Sequence, residues 1–342
     1  MKPTQRVAKA QTKRRSIRMD SDPLRGTSES AVLNSQGDFL DSILDLDSIA
    51  FDWNYNPPFM GSPISDYPLN LEETAMVELV PDAFAYCKNQ LEGYPEAFAR
   101  FGSNSFIHRK LYIDEMPSVI RHAFMVCGLY TTKSKLNEAM IYQTLDAEVA
   151  GLLDVDTSQW TFEDALAHVQ ALILYQVIRL FDGDIRQRAF AEQHESILTS
   201  WTDQLRICLE QFESSSLYPS VHDNNSSWRR WMLLESARRT ILISLFVRGF
   251  YHALKTRFCS TIVALSELPM STRGVLWELE SPTRWQLALK AEEPRLMPHK
   301  DFPVRFENGD LDNAHIGEYE KFLVVACKGE DWVERKLHNL DI

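Results

Sequence analysis

Between Thr161 and Phe181 the apolar residues Phe162, Leu166, Val169, Ile173, Val177 and Leu180 recur at spacings of three and four. That period marks one face of an α-helix. The stretch opens with Thr161-x-x-Asp164, in which a hydroxyl and an acid three residues apart satisfy each other's backbone N–H groups at a helix start. The same spacing persists beyond about Leu71. It predicts further helices over Leu71–Gln90, Pro117–Tyr130, Leu136–Leu153, Gln187–Gln211, Trp228–Leu254, Trp277–Ala291 and Glu318–Leu340, with HDNNSS from His222 as a loop. Strand alternation is nowhere convincing. The predicted fold class is all-α: a single large helical domain over 72–342, preceded by a disordered N-terminal region.

The chain is long enough for a substantial core: 342 residues, 44% hydrophobic and 25% charged. Its net charge of -12 repels nucleic acid, so DNA contact needs a local basic patch. The five cysteines, Cys87, Cys127, Cys208, Cys259 and Cys327, fall in no metal-ligand or CxxC spacing and read as reduced, mostly buried thiols. No apolar run approaches the roughly 20 residues of a membrane-spanning helix. The basic N-terminus lacks the apolar stretch of a secretory signal.

Residues 1–25 form a basic arm with no acid before Asp20. Lys9, Lys13, Arg14, Arg15 and Arg18 are its densest part and read as nuclear targeting or weak, sequence-blind DNA contact. A solvated tail without a role is the alternative. Residues 26–71 form an acidic-aromatic segment and linker without Lys or Arg. Within it DFLDSILDLDSIAFDW, Asp38–Trp53, places Phe39, Ile43, Leu46, Ala50 and Trp53 on one helical face and most of its aspartates on the other. Asp41 and Asp45 repel each other one turn apart, so this helix is marginal alone. It suits folding into a partner's groove, with Phe39, Ile43, Leu46, Phe51 and Trp53 as anchors. Docking onto the chain's own helical domain would use the same stripe.

No catalytic residue stands out. GxSxG, GxGxxG, GxxxxGKS and HExxH are absent, and no metal set or cofactor motif replaces them. Asp182–Gly183–Asp184 lacks the later ligands of a calcium loop and reads as a helix stop with Gly183 near C′. WRRWMLLESARRT, Trp228–Thr240, is more unusual. On a helix, Trp231, Leu234, Ile241 and Leu245 form a stripe that includes position 238. Glu235 lies three before Arg238 and four before Arg239, so it can pair with either. The motif Trp228, Trp231, Glu235, Arg238 and Arg239 thus reads as a structural ion pair at a core margin. The alternative is an anion clamp built from Arg229, Arg230, Arg238 and Arg239.

Six stretches together resemble the regulatory middle region of fungal zinc-cluster (Zn2Cys6) proteins, the fungal-specific transcription factor domain. They are SFIHRKLYIDEMPSVIRHAF from Ser105, ALILYQVIRLFDGDIRQRAFAEQ from Ala171, LTSWTDQLR from Leu198, WRRWMLLESARRTI from Trp228, LPMSTRGVLWELESPTRWQLAL from Leu268 and YEKFLVVACKG from Tyr319. The resemblance covers about residues 100–330 and is greatest to regulators of secondary-metabolite gene clusters. It implies a helical regulatory domain, a nuclear location and a role in transcription, as activator through the acidic segment. The family's DNA reader is a six-cysteine zinc cluster, and nothing here matches its spacing, the first cysteine being Cys87. Zinc and its major-groove helix therefore do not carry over. Either the protein lacks a reader by nature or a first exon is missing. The resemblance implies recruitment by a DNA-binding transcription factor or coactivator, with a homo- or heterodimer open. The competing class is an all-α small-molecule sensor or enzyme with an apolar pocket between helices.

Overall fold

The structure is a computed structural model that describes residues 81–214, 224–291, 295–311 and 316–338. All of them belong to one unit, Pro68–Ile342. The basic arm and the anchors Phe39, Ile43, Leu46, Phe51 and Trp53 lie outside the described residues.

Twelve α-helices occur among the described residues: α1 Pro81–Phe101, α2 Ser118–Tyr130, α3 Glu138–Leu153, α4 Phe162–Phe181, α5 Ile185–Gln193, α6 Glu195–Ser214, α7 Asn224–Thr256, α8 Ile262–Glu267, α9 Pro282–Ala291, α10 Asp301–Asn308, α11 Glu318–Lys328 and α12 Glu330–Leu337. Residues Gly274–Glu278 form a 3-10 turn. Helices organise the molecule, as the 3.6-residue period predicts.

Helix α4 is the axis. Its Thr161–Asp164 capping box forms, with the Asp164 amide donating to Thr161 Oγ1 at 3.1 Å and the Thr161 amide to Asp164 Oδ2 at 3.0 Å. The apolar stripe predicts one covered face, but Ala165–Leu180 is buried all round except at His168. A helix apolar on every side belongs inside, and α1, α2, α3, α5, α6 and α7 all pack on this one. Each polar residue it carries inward has at least one partner, although Gln176 Oε1 and Arg179 Nε have none among the described residues. Gln170 donates to Phe106 O at 3.0 Å and Thr240 Oγ1 at 3.1 Å, and accepts from Tyr112 Oη at 2.6 Å. Gln176 donates to Ala191 O at 2.9 Å, and Arg179 to Asp146 Oδ1 at 2.7 Å.

Asp182 caps the end of α4, Gly183 follows at C′, and Asp184 is the N-cap of α5, accepting from the Gln187 amide at 2.7 Å. One acid thus ends a helix and another starts the next. The predicted Gln187–Gln211 helix is two, α5 and α6, divided at His194. The break lets both halves lie against α4. Helix α6 buries Leu198, Trp201, Thr202, Leu205, Cys208 and Leu209, one face at spacings of three and four or their neighbours.

Helix α7 is longer than predicted: it starts at Asn224, inside the expected HDNNSS loop. The predicted C-terminal helix is also divided, into α11 and α12, at Gly329 with φ +90°, a conformation L side chains seldom adopt. Asp82 Oδ2 accepts from the Glu330 and Asp331 amides at 3.1 and 3.3 Å. A first-turn acid of α1 thereby satisfies orphan donors at the start of α12. Two strands are present against expectation. β1 Pro269–Ser271 pairs antiparallel with β2 Leu296–Pro298, Met270 opposite Met297. Three residues are too few for alternation to show in sequence.

Candidate functional site

The predicted motif lies on α7, and α7 has two unequal faces. Trp231, Leu234 and Leu245 of the expected stripe are only half-buried. The deeper face is offset by one position and holds Trp228, Met232, Leu233, Glu235, Ser236, Ala237, Arg239 and Thr240. Arg239 is therefore the interior arginine, and Arg238 stands at the margin.

Arg239 has polar partners and rings on several sides. Its Nε donates to Glu235 Oε1 at 2.9 Å, its Nη2 to Glu320 Oε1 at 2.8 Å and its Nη1 to Ser105 O at 3.4 Å. The guanidinium carbon lies 4.3 Å from the Trp277 ring centroid and 4.2 Å from that of Tyr319. A planar, weakly hydrated cation suits such a slot, because it stacks on rings while its edge donates to carboxylates. Arg238 donates to the other oxygen of Glu235 at 3.2 Å and to Glu213 Oε1 at 2.8 Å.

The electrostatics follow from this arrangement. Burial works against the Glu235 carboxylate, but Arg239 and Arg238 together outweigh it and hold the carboxyl below its ordinary value. Burial pushes Glu320 up, since its one arginine is shared with Glu235. Arg239 is raised: burial opposes its charge, and Glu320 with Glu235 more than restores it. Glu320 has a further duty. Its Oε2 accepts from the Gly317 amide at 3.0 Å and so caps α11. The opposite wall is Gly274, where a β-carbon would sit 2.1 Å from Oε2. Only glycine leaves room for that carboxylate.

The remaining arginines of the motif diverge. Arg229 reaches Glu163 at 3.8 Å. Arg230 donates to Phe212 O at 2.8 Å and Glu213 O at 3.2 Å, its guanidinium 4.7 Å from the Phe212 ring centroid. The four do not converge on one anion. Trp228 forms a second apolar cluster with Met232, Leu276 and Trp285, against which Trp231 packs. His108 meets Trp277 edge-on at 4.9 Å. Burial, reinforced by Arg239, pushes the His108 imidazole down to about 4.

A cavity of about 300 Å³ opens beside this joint, lined in part by Asn104, Ser105, His108, Arg239, Tyr319 and Glu320. The acids facing Arg239 are already bonded to it, so the arrangement works as a fixed joint between α7, the 274–278 turn and α11. Ser105, Trp277, Tyr319 and Glu320 were not singled out from sequence as partners of the motif, although stretches containing each belong to the family-like pattern. No group of three or more His, Cys, Asp or Glu among the described residues is placed to hold a metal. No helix among them is long and apolar enough to cross a membrane.

The chain is 32% identical over 213 residues to a curated Penicillium aethiopicum protein named Transcription factor gsfR2. The aligned part is 61% of this chain and 51% of that protein, so the chain spans about half the length of the curated relative it matches. No family model and no solved structure matches.

Proposed function

We propose that the protein is a fungal, non-catalytic transcriptional regulator that works in the nucleus through protein contacts. The observation that carries this reading is the 213-residue similarity to a protein named as a transcription factor. In this reading residues 81–338 form a regulatory body whose α7–α11 joint fixes its shape. The basic arm serves nuclear entry, and Asp38–Trp53 supplies an amphipathic acidic helix for a coactivator or a DNA-binding partner. The genes controlled are those of a secondary-metabolite cluster, in line with the resemblance.

The test uses the full chain fused to a foreign DNA-binding module, upstream of a reporter. Activation is expected, and it should collapse when Phe39, Leu46 and Trp53 are changed to alanine. An inert full-length fusion, or a triple variant as active as the parent, rejects the activation mechanism. Transcript profiling of a deletion strain tests the gene-cluster assignment: unchanged expression of every such cluster under producing conditions counts against it.

A further inference from the structure

Helix α2 packs on α1 and α4, and α3 packs on α2 and α4. The other side of this α2–α3 hairpin is uncovered among the described residues, and large apolar side chains of the hairpin stand in solvent. Leu136, just before α3, is 98% exposed, Met140 is 70% and Met125 58%, and Leu129 is exposed as well. Exposed apolar groups gathered in one place mark an interaction surface. Methionine suits one, because its unbranched chain adapts to what it meets.

The register of the hairpin is set by His122, whose Nδ1 lies 3.1 Å from Glu148 Oε2. An early residue of α2 is thus level with a late residue of α3, and the two helices run antiparallel. The outward side of α2 carries bulk at Met125 and Leu129. The exposed positions of α3 from Met140 to Gly151 are Met140, Gln143, Thr144, Ala147, Ala150 and Gly151. None is charged, and most are small. Two charges stand at one end of the hairpin: Arg121 in the first turn of α2, and Asp154, the C-cap of α3. Both are exposed, and neither has an ion-pair partner among the described residues. Each also has the wrong sign for its own helix, since a cation near an N-terminus and an anion at a C-terminus oppose the macrodipole. Nothing in the helices that carry them accounts for these two charges.

We propose that this face binds a second copy of the chain, two hairpins stacking about a twofold axis parallel to their helices to form an antiparallel four-helix bundle. That operator lays α2 of one copy on α3 of the other at equal height, and it makes every contact twice. Met125 and Leu129 enter the shallow groove left by Thr144, Ala147 and Gly151 of the second copy. Arg121 meets Asp154 of the second copy, so each helix end gains a charge of the sign its dipole favours. The net charge of -12 keeps copies apart elsewhere, and the uncharged run of α3 is where they can meet. The two helices have 13 and 16 residues, about 20 and 24 Å in length. The stacked faces bury on the order of 1,000 Å² in total, the lower bound of a specific interface, so the dimer is reversible in the micromolar range. The interface does not depend on the transcriptional reading.

Sedimentation equilibrium of the purified full chain tests this, and a reversible dimer is expected at micromolar concentration. Arg121→Asp and Asp154→Arg each place like charges opposite one another at both copies of the contact. Either variant alone should associate at least about tenfold more weakly than wild type. Mixed in equal amounts, the two variants should associate again as wild type does, because every such contact between them joins opposite charges. Recovery on mixing separates a lost interface from a misfolded variant and from pairing within one chain. The proposal is overturned if the wild-type chain stays monomeric through the micromolar range, if either variant alone associates as wild type does, or if the mixture stays monomeric.

Discussion

Arg239 and Glu320 are 81 residues apart in sequence, and an Nη2 of the arginine lies 2.8 Å from an oxygen of the glutamate. Both are buried, at 2% and 1% exposure. A buried pair of this kind adds little over a well-packed apolar replacement, but losing one partner strands the other charge. Glu235→Ala should therefore destabilise the domain by about 3–5 kcal/mol. Chemical denaturation of the purified chain measures it, and an unchanged midpoint would show that Arg239 does not rely on Glu235.

Gly274→Ala tests the same joint by sterics rather than charge. The added methyl must displace the Glu320 carboxylate, which caps α11 and holds Arg239 together. Overpacking in a well-filled interior costs about 1–3 kcal/mol, and here a cap and an ion pair are disturbed with it. The expected result is a lower melting temperature, with far-ultraviolet helicity retained below the transition.

Acid sensitivity should come from buried imidazoles. Burial pushes both His108 and His299 down to about 4 in the folded chain, from an ordinary value of 6.5. Between those values the unfolded chain binds protons that the folded chain refuses, so stability rises with pH across this window and is lost as pH falls through it. Each imidazole accounts for up to about 3 kcal/mol. His299→Leu should flatten the stability profile between pH 6.5 and pH 4; an identical profile would place that proton uptake elsewhere.

Gln170 ties two segments to the central helix, the 104–112 stretch through Phe106 O and Tyr112 Oη and α7 through Thr240 Oγ1. Gln170→Leu keeps the size and removes every one of these bonds. At about 1–3 kcal/mol per buried group left unpaired, a loss of at least about 2 kcal/mol is expected. Hydrogen exchange should show the 104–112 segment opening first.

The basic arm has its own expected outcome. Replacing Lys13, Arg14 and Arg15 with alanine in a fluorescently tagged full chain should shift it from nucleus to cytoplasm. Unaltered nuclear fluorescence would remove the targeting role from the arm.

What could be read from sequence here is local. The capping box at Thr161–Asp164 is visible because both partners sit within four residues, and so is the Glu235–Arg238–Arg239 spacing. What covers a face is not visible. The stripe Trp231, Leu234, Ile241 and Leu245 selects one side of α7, but the deepest side is the one roofed by Trp277, Tyr319 and Glu320, and no periodicity in α7 encodes that roof. The short helices α8 and α10 escaped detection for a related reason: six and eight residues give barely two turns over which to see a period. The division at His194 leaves the helical spacing nearly in phase on both sides, so pattern alone reads straight through it.

The position of Glu320 also matters during synthesis. A chain made from its N-terminus carries Arg239 out of the ribosome well before its second carboxylate has been translated. Until then the arginine has Glu235 on its own helix but neither Glu320 nor the Tyr319 ring. A premature stop codon anywhere between 240 and 319 would thus release a product with a partly unmatched cation in what should be its interior. Such fragments are natural clients for quality control, and late nonsense mutations in this gene should act as nulls rather than yield shortened, working proteins.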